Sequence, residues 1–448
     1  MQLQVIERTK HSISRKNIDA DALSVLYKLF RAGHTAYLVG GGVRDMLLHR
    51  TPKDFDVVTS ARPAQIKKLF RRSCHLIGRR FRLAHVRFGR EKIIEVSTFR
   101  REPDIESGLR EGVVGSIAAD DGYICSDNAF GTPEQDALRR DFTINSIFYN
   151  IADYTLLDYC GGLRDLQDRV IRTIGDPQVR FREDPVRMIR AIKFCARLGF
   201  NMDANTWQGI IDNCQAISNA SEARVQEEIL RLLESRCSKR CFELLEDSGM
   251  LKAIVPELYE YLQRAKEGNA PEDPHGEMLW IILGNVDELN QASDSFSTKE
   301  EARLFAAGAI MLPLVLEAGL LRNYDYATMR AIVDKMGQRV GMCNRLKDAV
   351  CRRFMVMSRL ISARFERDEA QLFRQEAFNH GFKYYAMLVQ CGISSPSVKE
   401  RWESKWNASP LSTRDVPDKD ADYAYRQKRE KKRSKHRKGG RRRSAAKS

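Results

Sequence analysis

The sequence lacks long apolar runs, paired cysteines and the standard nucleotide-binding fingerprints. No segment reaches the roughly 18 consecutive apolar residues of a membrane-spanning helix, and the first residues contain no apolar stretch typical of a secretory signal. The ten cysteines include no CxxC pair, which favours free buried thiols over disulfides. The glycine spacing matches neither a dinucleotide fingerprint nor a P-loop. We therefore expect a cytoplasmic protein without those two nucleotide sites.

Length and charge distribution indicate several domains and one basic terminal segment. A chain of 448 residues exceeds the roughly 250–300 residues at which a single core stops growing. The net charge is +15, and residues 426–448 contribute +12 of it, from thirteen Lys or Arg against one acid, Glu430. This tail is almost devoid of apolar residues, so we expect it to be disordered. It would either solubilise the chain or bind a polyanion, and the charge density favours RNA.

Periodicity predicts a mixed sheet with packed helices in the first part of the chain. The segments AYLVGG, FDVVTSA and LAHVRFGREKIIEVSTFR are typical of strands, and VRDMLLH and PAQIKKLFRR are typical of helices. Residues 101–132 have no periodicity and are predicted to form a long mobile loop. From about residue 136 the pattern becomes helical, so the expected fold class is α+β with an all-α second part.

Asp54 and Asp56 are the first candidate functional residues. At positions i and i+2 of a predicted strand, their side chains would leave one face, about 7 Å apart at Cα. Two carboxylates this close raise each other's pKa unless a cation lies between them, and carboxylate oxygen is a ligand that suits Mg²⁺. An acidic turn or a helix cap would also account for the pair when it is taken alone.

Gly40, Gly41 and Gly42 lie between a predicted strand and a predicted helix. Backbone N–H groups in such a turn can approach an anion closely, and a helix N-terminus adds partial positive charge. Arg44, one turn into the helix, could reach the same anion. A tight turn would require glycine as well, but the neighbouring aspartates favour a metal-bound triphosphate.

A third acid would help to hold two metal ions during an in-line phosphoryl displacement. Glu95, on the predicted strand IIEVSTF, and Asp136, in EQDALRRDFTIN, are both candidates. In the second segment, Arg139 and Arg140 could clamp phosphate and ribose. A solvated helix start around Asp141 would explain the same residues.

Asp184, Arg187 and Arg190 are spaced by three in EDPVRMIRA, which places them on one face of a predicted helix. A carboxylate with fixed guanidinium donors could read the hydrogen-bonding edge of a base. The alternative is a ladder of surface ion pairs.

Four segments, in this order and spacing, resemble motifs of the class II nucleotidyltransferases: LVGGGVRD, KDFDVVT, RRDFTIN and EDPVRMIRA. That family comprises the tRNA CCA-adding enzymes and the bacterial poly(A) polymerases. Residues 76–100 closely resemble the segment that marks the bacterial poly(A) polymerase I branch, and the basic C-terminal extension is similar to that branch too. The similarity covers about residues 10–200.

The resemblance implies a role for each motif and an expected substrate. The glycine turn would contact the triphosphate of ATP, the paired aspartates would bind two Mg²⁺ ions, and Asp136 is favoured over Glu95 as the catalytic carboxylate. Asp184, Arg187 and Arg190 would form a template that favours adenine. In residue terms, the expected nucleotide-binding set is Gly40, Gly41, Arg44, Arg140, Asp184, Arg187 and Arg190, and the expected catalytic set is Asp54, Asp56 and Asp136.

The same resemblance implies the organisation and the activity of the whole chain. The expected parts are a nucleotidyltransferase head (1–145), a helical neck that recognises the base (146–215), a helical RNA-binding body (216–405), and a linker with a disordered basic RNA-binding tail (406–448). The implied activity is template-independent transfer of AMP from ATP to RNA 3′ ends, with release of pyrophosphate. A CCA-adding tRNA nucleotidyltransferase is the nearest alternative, and a non-catalytic RNA-binding protein is an alternative of another class.

Overall fold

A computed structural model describes residues 3–78, 83–89, 92–101, 129–292, 295–321, 324–362, 369–375 and 377–409. The basic tail and residues 102–128 of the predicted loop lie outside this part, so the expectations for them stay predictions. The chain divides into two compact units. The first comprises residues 1–183 and 199–209, and the second comprises residues 184–198 and 210–448.

The first unit is built on a mixed sheet. Its described strands are β1 (Gln4–Ile6), β2 (Ala36–Val39), β3 (Asp56–Thr59), β4 (Cys74–Ile77), β5 (Leu83–Phe88), β6 (Lys92–Thr98), β7 (Phe148–Asn150), β8 (Leu156–Asp158), β9 (Val170–Ile171) and β10 (Asn201–Met202). The sheet order is β1-β8-β7-β2-β3-β6-β5-β4, and β9 pairs separately with β10. β3 and β6 run parallel, whereas β2 is antiparallel to both β3 and β7. The predicted mixed sheet is confirmed.

The first unit also contains helices, several of which contact this sheet. They are α1 (Ala20–Arg31), α2 (Gly41–Leu47), α3 (Pro63–Phe70), α4 (Pro133–Leu138), α5 (Gly162–Asp168) and α6 (Pro177–Glu183). The Asp19 carboxylate caps α1 by accepting the backbone N–H groups of Asp21 and Ala22. α1 contacts β2 and β3, while α3 contacts β4 and β5. These contacts bury the apolar side of each helix and fix the ends of the central strands.

The second unit is helical in its described part. Its helices are α7 (Val186–Leu198), the end of α8 (Ala204–Asn213), α9 (Glu222–Leu233), α10 (Ser238–Asp247), α11 (Met250–Ile254), α12 (Pro256–Lys266), α13 (Met278–Gln291), α14 (Lys299–Ala309), α15 (Leu312–Glu317), α16 (Tyr326–Arg339), α17 (Asn344–Ser362), α18 (Glu369–Phe373), α19 (Phe378–Gln390) and α20 (Pro396–Ala408). α10 packs on α7 and α13, and α17 packs on α16 and α19. The predicted helical body, residues 216–405, is confirmed in its described part.

Two further sequence-based expectations can be compared with the described residues. Their nine cysteines are free thiols, as expected, and the tenth, Cys125, lies outside them. None of the helices in the described ranges is both long and apolar enough to cross a membrane.

The boundary of the first part and the onset of helical structure differ from the prediction. The expected head ended at residue 145, whereas β7 and β8 add two strands beyond it and the compact unit continues to Glu183. The expectation of helical structure from residue 136 onward is therefore wrong for residues 148–158. Each of these strands has three residues, which is too short for an alternating pattern to appear in the sequence. The functional division into head, neck, body and tail stays a prediction.

Candidate active site

The glycine turn packs directly against the segment that carries the two aspartates. Gly40 follows β2 with a φ of +77°, a conformation that residues with a side chain rarely adopt. A Cβ atom at Gly40 would lie 3.3 Å from Asp56 Oδ2, and one at Gly42 would lie 3.1 Å from the Asp54 carbonyl oxygen. The glycines are therefore needed for close packing between the turn and the acids, a reason that the sequence analysis did not identify.

Asp54 and Asp56 lie at the start of β3 rather than within it. The strand begins at Asp56, so Asp54 belongs to the irregular segment before it, and the prediction that both lie on one strand is wrong. Asp56 is paired with Val39, the last residue of β2, which brings it beside the glycine turn. On its other side, Asp56 is in parallel register with Glu95 of β6. Asp56 thus has two acidic neighbours, Asp54 before it in the chain and Glu95 on the adjacent strand.

The electrostatics of Asp56 reflect this crowding. The residue opens to solvent, but the surrounding protein partly desolvates its carboxyl group, and the charges of Glu95 and Asp54 add to that effect. Together they raise the pKa of Asp56 to about 6, although the nearby Arg140 opposes the shift. The cluster therefore has excess negative charge that a cation would relieve.

Asp136 and Arg140 form a pair beside the acids. Arg140 Nη2 lies 2.8 Å from Asp136 Oδ2, and its Nε is 3.2 Å from the same oxygen. The other oxygen of Asp136 accepts the backbone N–H of Arg100 at 3.1 Å. The Arg140 guanidinium also lies over the ring of Phe148, 5.5 Å from its centroid. Asp136 is buried and both of its carboxylate oxygens accept hydrogen bonds, and one of these oxygens orients the Arg140 guanidinium.

Arg44 is buried beneath the glycine turn. Its Nε and Nη2 donate to Asp45 Oδ1 at 2.9 and 2.7 Å, and its Nη1 donates to Asn145 Oδ1 at 2.8 Å. A Cβ atom at Gly41 would lie 3.5 Å from Arg44 Nη2. These contacts link the glycine motif to the RRDFTIN motif. They support a positioning role for Arg44, and its predicted contact with a triphosphate stays a prediction.

A buried arginine that the sequence analysis missed supports the RRDFTIN segment. Arg180 of α6 donates from Nη2 to the backbone carbonyls of Arg139 and Arg140, at 2.7 and 3.0 Å. Its Nη1 contacts Glu183 at 2.9 Å. No sequence signal distinguishes this arginine from the exposed Arg182 two residues later. Asp141 meanwhile caps its own segment by accepting the Phe142 N–H.

The predicted base-reading triplet belongs to the second unit. Asp184 lies just before α7, whereas Arg187 and Arg190 lie within the helix one turn apart, so the triplet is not wholly helical as predicted. Asp184 Oδ2 accepts from Arg224 Nη2 at 2.8 Å. The Arg190 guanidinium lies 6.0 Å from the ring centroid of Phe194. A carboxylate and two half-buried guanidinium groups are thus grouped at the start of α7.

The acids of the first unit fit a hard divalent cation. Carboxylate oxygens are the ligands that Mg²⁺ takes. Partial desolvation, together with the charges of Glu95 and Asp54, raises the pKa of Asp56, so a nearby cation would favour its ionised carboxylate. Within the described ranges, no group of three or more acidic, histidine or cysteine side chains forms a complete metal site. An ion that keeps water and substrate phosphates as ligands needs only one or two carboxylates, so Asp54 and Asp56 suffice.

The crowding at Asp56 predicts that an isosteric amide stabilises the metal-free fold. The carboxyl has a pKa of about 6 in the folded chain against an ordinary value of 3.8. Its ionisation therefore opposes folding increasingly from about pH 4 to 6, and fully above that range. In buffer with a chelator, we expect Asp56→Asn to raise Tm at pH 8 and to have little effect near pH 4. Thermal unfolding at both pH values measures this, with the exposed Asp168→Asn as the control. An Asp56→Asn variant no more stable than wild type at pH 8 would contradict the proposed crowding.

Comparison with known proteins finds two family models and several relatives that are similar to this chain. The model described as "Poly A polymerase head domain" matches residues 36–172, and the model described as "Probable RNA and SrmB- binding site of polymerase A" matches residues 199–262. A protein named poly(A) polymerase I from Escherichia coli O6:H1 is 47% identical over 290 residues, which cover 64% of this chain and 59% of that protein. The chain thus spans about 59% of the length of that relative.

Two further matches extend the comparison. Poly(A) polymerase I from Haemophilus influenzae is 42% identical over 319 residues, which cover 71% of this chain and 68% of that protein. A solved structure of a Bacillus stearothermophilus CCA-adding enzyme in complex with CTP superposes with a TM-score of 0.58. It covers 86% of this chain and 81% of its own chain at 24% identity, which shows a shared fold.

Proposed function

The chain belongs to the poly(A) polymerase I family, and from that premise we propose that it transfers AMP from ATP to the 3′ ends of RNA without a template. The observation that carries the proposal is the meeting of the glycine turn with Asp54 and Asp56 at one end of β2 and β3. This arrangement offers close backbone approach for a triphosphate next to carboxylates that favour a cation.

We infer that Asp54 and Asp56 hold two Mg²⁺ ions. Bound Mg²⁺ would neutralise charge on the triphosphate and favour loss of the proton from the RNA 3′-hydroxyl. Asp54 and Asp56 would hold the ions, whose charge would attract the α-phosphate to the side of the attacking oxygen, and Arg140 would contact phosphate or ribose from the adjacent side. The 3′ oxygen bonds to the α-phosphorus, the bond to the β-phosphate bridging oxygen breaks, and pyrophosphate leaves.

For the third carboxylate, the contacts support Glu95 beside Asp56. Glu95 is in register with Asp56, and its side chain is half exposed, which leaves it accessible to substrate. Asp136 is engaged by Arg140 and by the Arg100 backbone. We therefore propose Asp136 as a positioning residue for Arg140. The alternative, which the family resemblance implies, is that Asp136 is itself the catalytic carboxylate.

We propose that Asp184, Arg187 and Arg190 read the base of the incoming nucleotide. A carboxylate accepts hydrogen bonds, so it suits the exocyclic amino group of adenine, and guanidinium groups donate to ring nitrogen acceptors. The basic tail at residues 426–448 is proposed to hold RNA through phosphate contacts, since its charge is +12.

The proposal is tested by supplying each nucleoside triphosphate singly with Mg²⁺ and an unstructured RNA. We expect ATP to be incorporated efficiently and the other three nucleotides poorly. Efficient CMP incorporation would favour a CCA-adding enzyme, which shares the fold. No incorporation of any nucleotide, with RNA binding retained, would favour a non-catalytic RNA-binding protein.

A further inference from the structure

Positive charge is concentrated in a stretch of the first unit that the proposed chemistry does not use. Residues 57–90 contain ten Lys or Arg and no Asp or Glu. Because the tail accounts for +12 of the net charge of +15, the rest of the first 425 residues is net negative outside this stretch. After Asp21, α1 carries Lys28 and Arg31 and no further acid. This concentration of cations favours a polyanion as partner.

An open groove of about 490 Å³ lies where α1 meets the end of α3. Its walls include Tyr27, Lys28 and Arg31 from α1 and Leu69 from α3. Lys28 and Arg31 are exposed, and neither has a carboxylate within ion-pair distance in the part of the chain that the structure describes. By contrast, Lys92 at the other end of α1 pairs with Asp19 and Asp21.

Aromatic rings, rather than acids, support the cations of this groove. Lys28 Nζ lies 4.9 Å from the ring centroid of Phe70, and the Arg31 guanidinium lies 5.8 Å from that of Tyr27. Arg15 donates to the hydroxyl of Tyr27 at 3.0 Å. Contact with a ring orients a cation without neutralising it, so the charge stays available to a phosphate.

We propose that Lys28 and Arg31 in the groove, with Arg15 beside it on Tyr27, bind the phosphate backbone of single-stranded RNA; these three residues are called the cationic groove. Open cationic grooves with aromatic side chains are typical of surfaces that follow a single strand without reading its sequence. Arg31 closely precedes β2, whereas the glycine turn follows it, so the groove lies apart from the acids. The inference rests on the proposed function in that RNA is the substrate.

The test is a salt series of RNA affinity in the full chain. Fluorescence anisotropy with a labelled 20-nucleotide RNA, in chelator and without ATP, compares wild type with Lys28→Glu/Arg31→Glu. A matched control, Lys10→Glu/Arg164→Glu, makes the same charge change at two exposed residues of the same unit. We expect the groove variant to bind about tenfold more weakly at low salt. Loss of two phosphate contacts should also reduce the log–log salt slope by about 1.4.

The control variant is expected to remain within about twofold of wild type. If the groove variant bound RNA with the affinity and salt slope of wild type, the inference would be overturned. It would also be overturned if the groove and control variants lost equal affinity, because the loss would then not depend on the groove. An acidic protein as the true partner would give the first of these results. Lys28→Gln/Arg31→Gln repeats the comparison without charge reversal. Since no catalysis is measured, a wild type that adds no AMP would refute the proposed function and leave the groove result intact.

Discussion

Asp56→Asn is expected to lower kcat/KM for AMP transfer by about 10³-fold or more, and Asp54→Asn should do the same. Each change removes a cation-binding oxygen from a site whose catalysis is mainly charge stabilisation, worth several kcal/mol. The fold should survive, because both residues are exposed at the start of β3 and Asp56→Asn relieves repulsion. Single-turnover AMP incorporation at saturating RNA, over a series of ATP concentrations that extends below KM, measures the effect. A folded variant that keeps a tenth of wild-type activity in Mg²⁺ would contradict the metal assignment.

Two further variants separate the remaining acids in the same assay. If Glu95 is the third carboxylate, Glu95→Gln should lose activity nearly as severely as Asp56→Asn and need more Mg²⁺ for half-maximal rate. Asp136→Asn should instead mainly raise KM for ATP, because Arg140 loses the carboxylate that holds it. The reverse pattern, with a severe loss for Asp136→Asn and a mild one for Glu95→Gln, would restore Asp136 as the catalytic carboxylate.

Asp184→Ala is expected to reduce the preference for ATP over GTP by about 10- to 100-fold. Adenine presents an amino donor where guanine presents a carbonyl acceptor, so a carboxylate attracts the first and repels the second. A hydrogen bond to a charged group contributes about 1.5–3 kcal/mol, which corresponds to that range. The ratio of kcat/KM values for ATP and GTP measures it. The ATP-to-CTP ratio should change less, because cytosine also presents an amino group.

Arg224→Gln provides the matched control for that prediction. It removes the ion-pair partner of Asp184 and leaves the carboxylate in place. We expect this variant to change the ATP-to-GTP ratio by about threefold or less, since the pair is partly exposed and contributes little by itself. Equal effects of Asp184→Ala and Arg224→Gln would mean that the pair is structural and that Asp184 does not read the base.

The sequence predicted the elements around the site well because their signals are local. The β-branched residues of FDVVTS indicate a strand, and the glycine turn indicates a helix start; neither signal needs tertiary information. The structure has β3 and α2 at these places. β7 and β8 were missed because three residues carry no periodicity. They pair with each other, but their other partners, β2 for β7 and β1 for β8, are distant in sequence. The parallel pairing of β3 with β6 likewise depends on how the sheet closes.

The arrangement of side chains within the site was less predictable. The buried guanidinium of Arg44 donates a hydrogen bond to Asn145, which lies about a hundred residues away in the sequence. Sequence spacing cannot reveal such a partner, nor the bond between Asp136 and the Arg100 backbone. The reason for Gly40 also became visible only when Asp56 was found beside it. Residue types that suit the chemistry were identifiable, whereas their contacts depend on the assembled sheet.

Polyadenylation is tested by counting the AMP residues added to one RNA when ATP is the only nucleotide. An RNA ending in CC should be used, because a CCA-adding enzyme would need one A to complete it. With Mg²⁺, the account predicts a ladder of many additions per primer, and none with Asp56→Asn. Termination after a single AMP on that RNA, with no extension of an unstructured RNA, would contradict polyadenylation as the function of this chain.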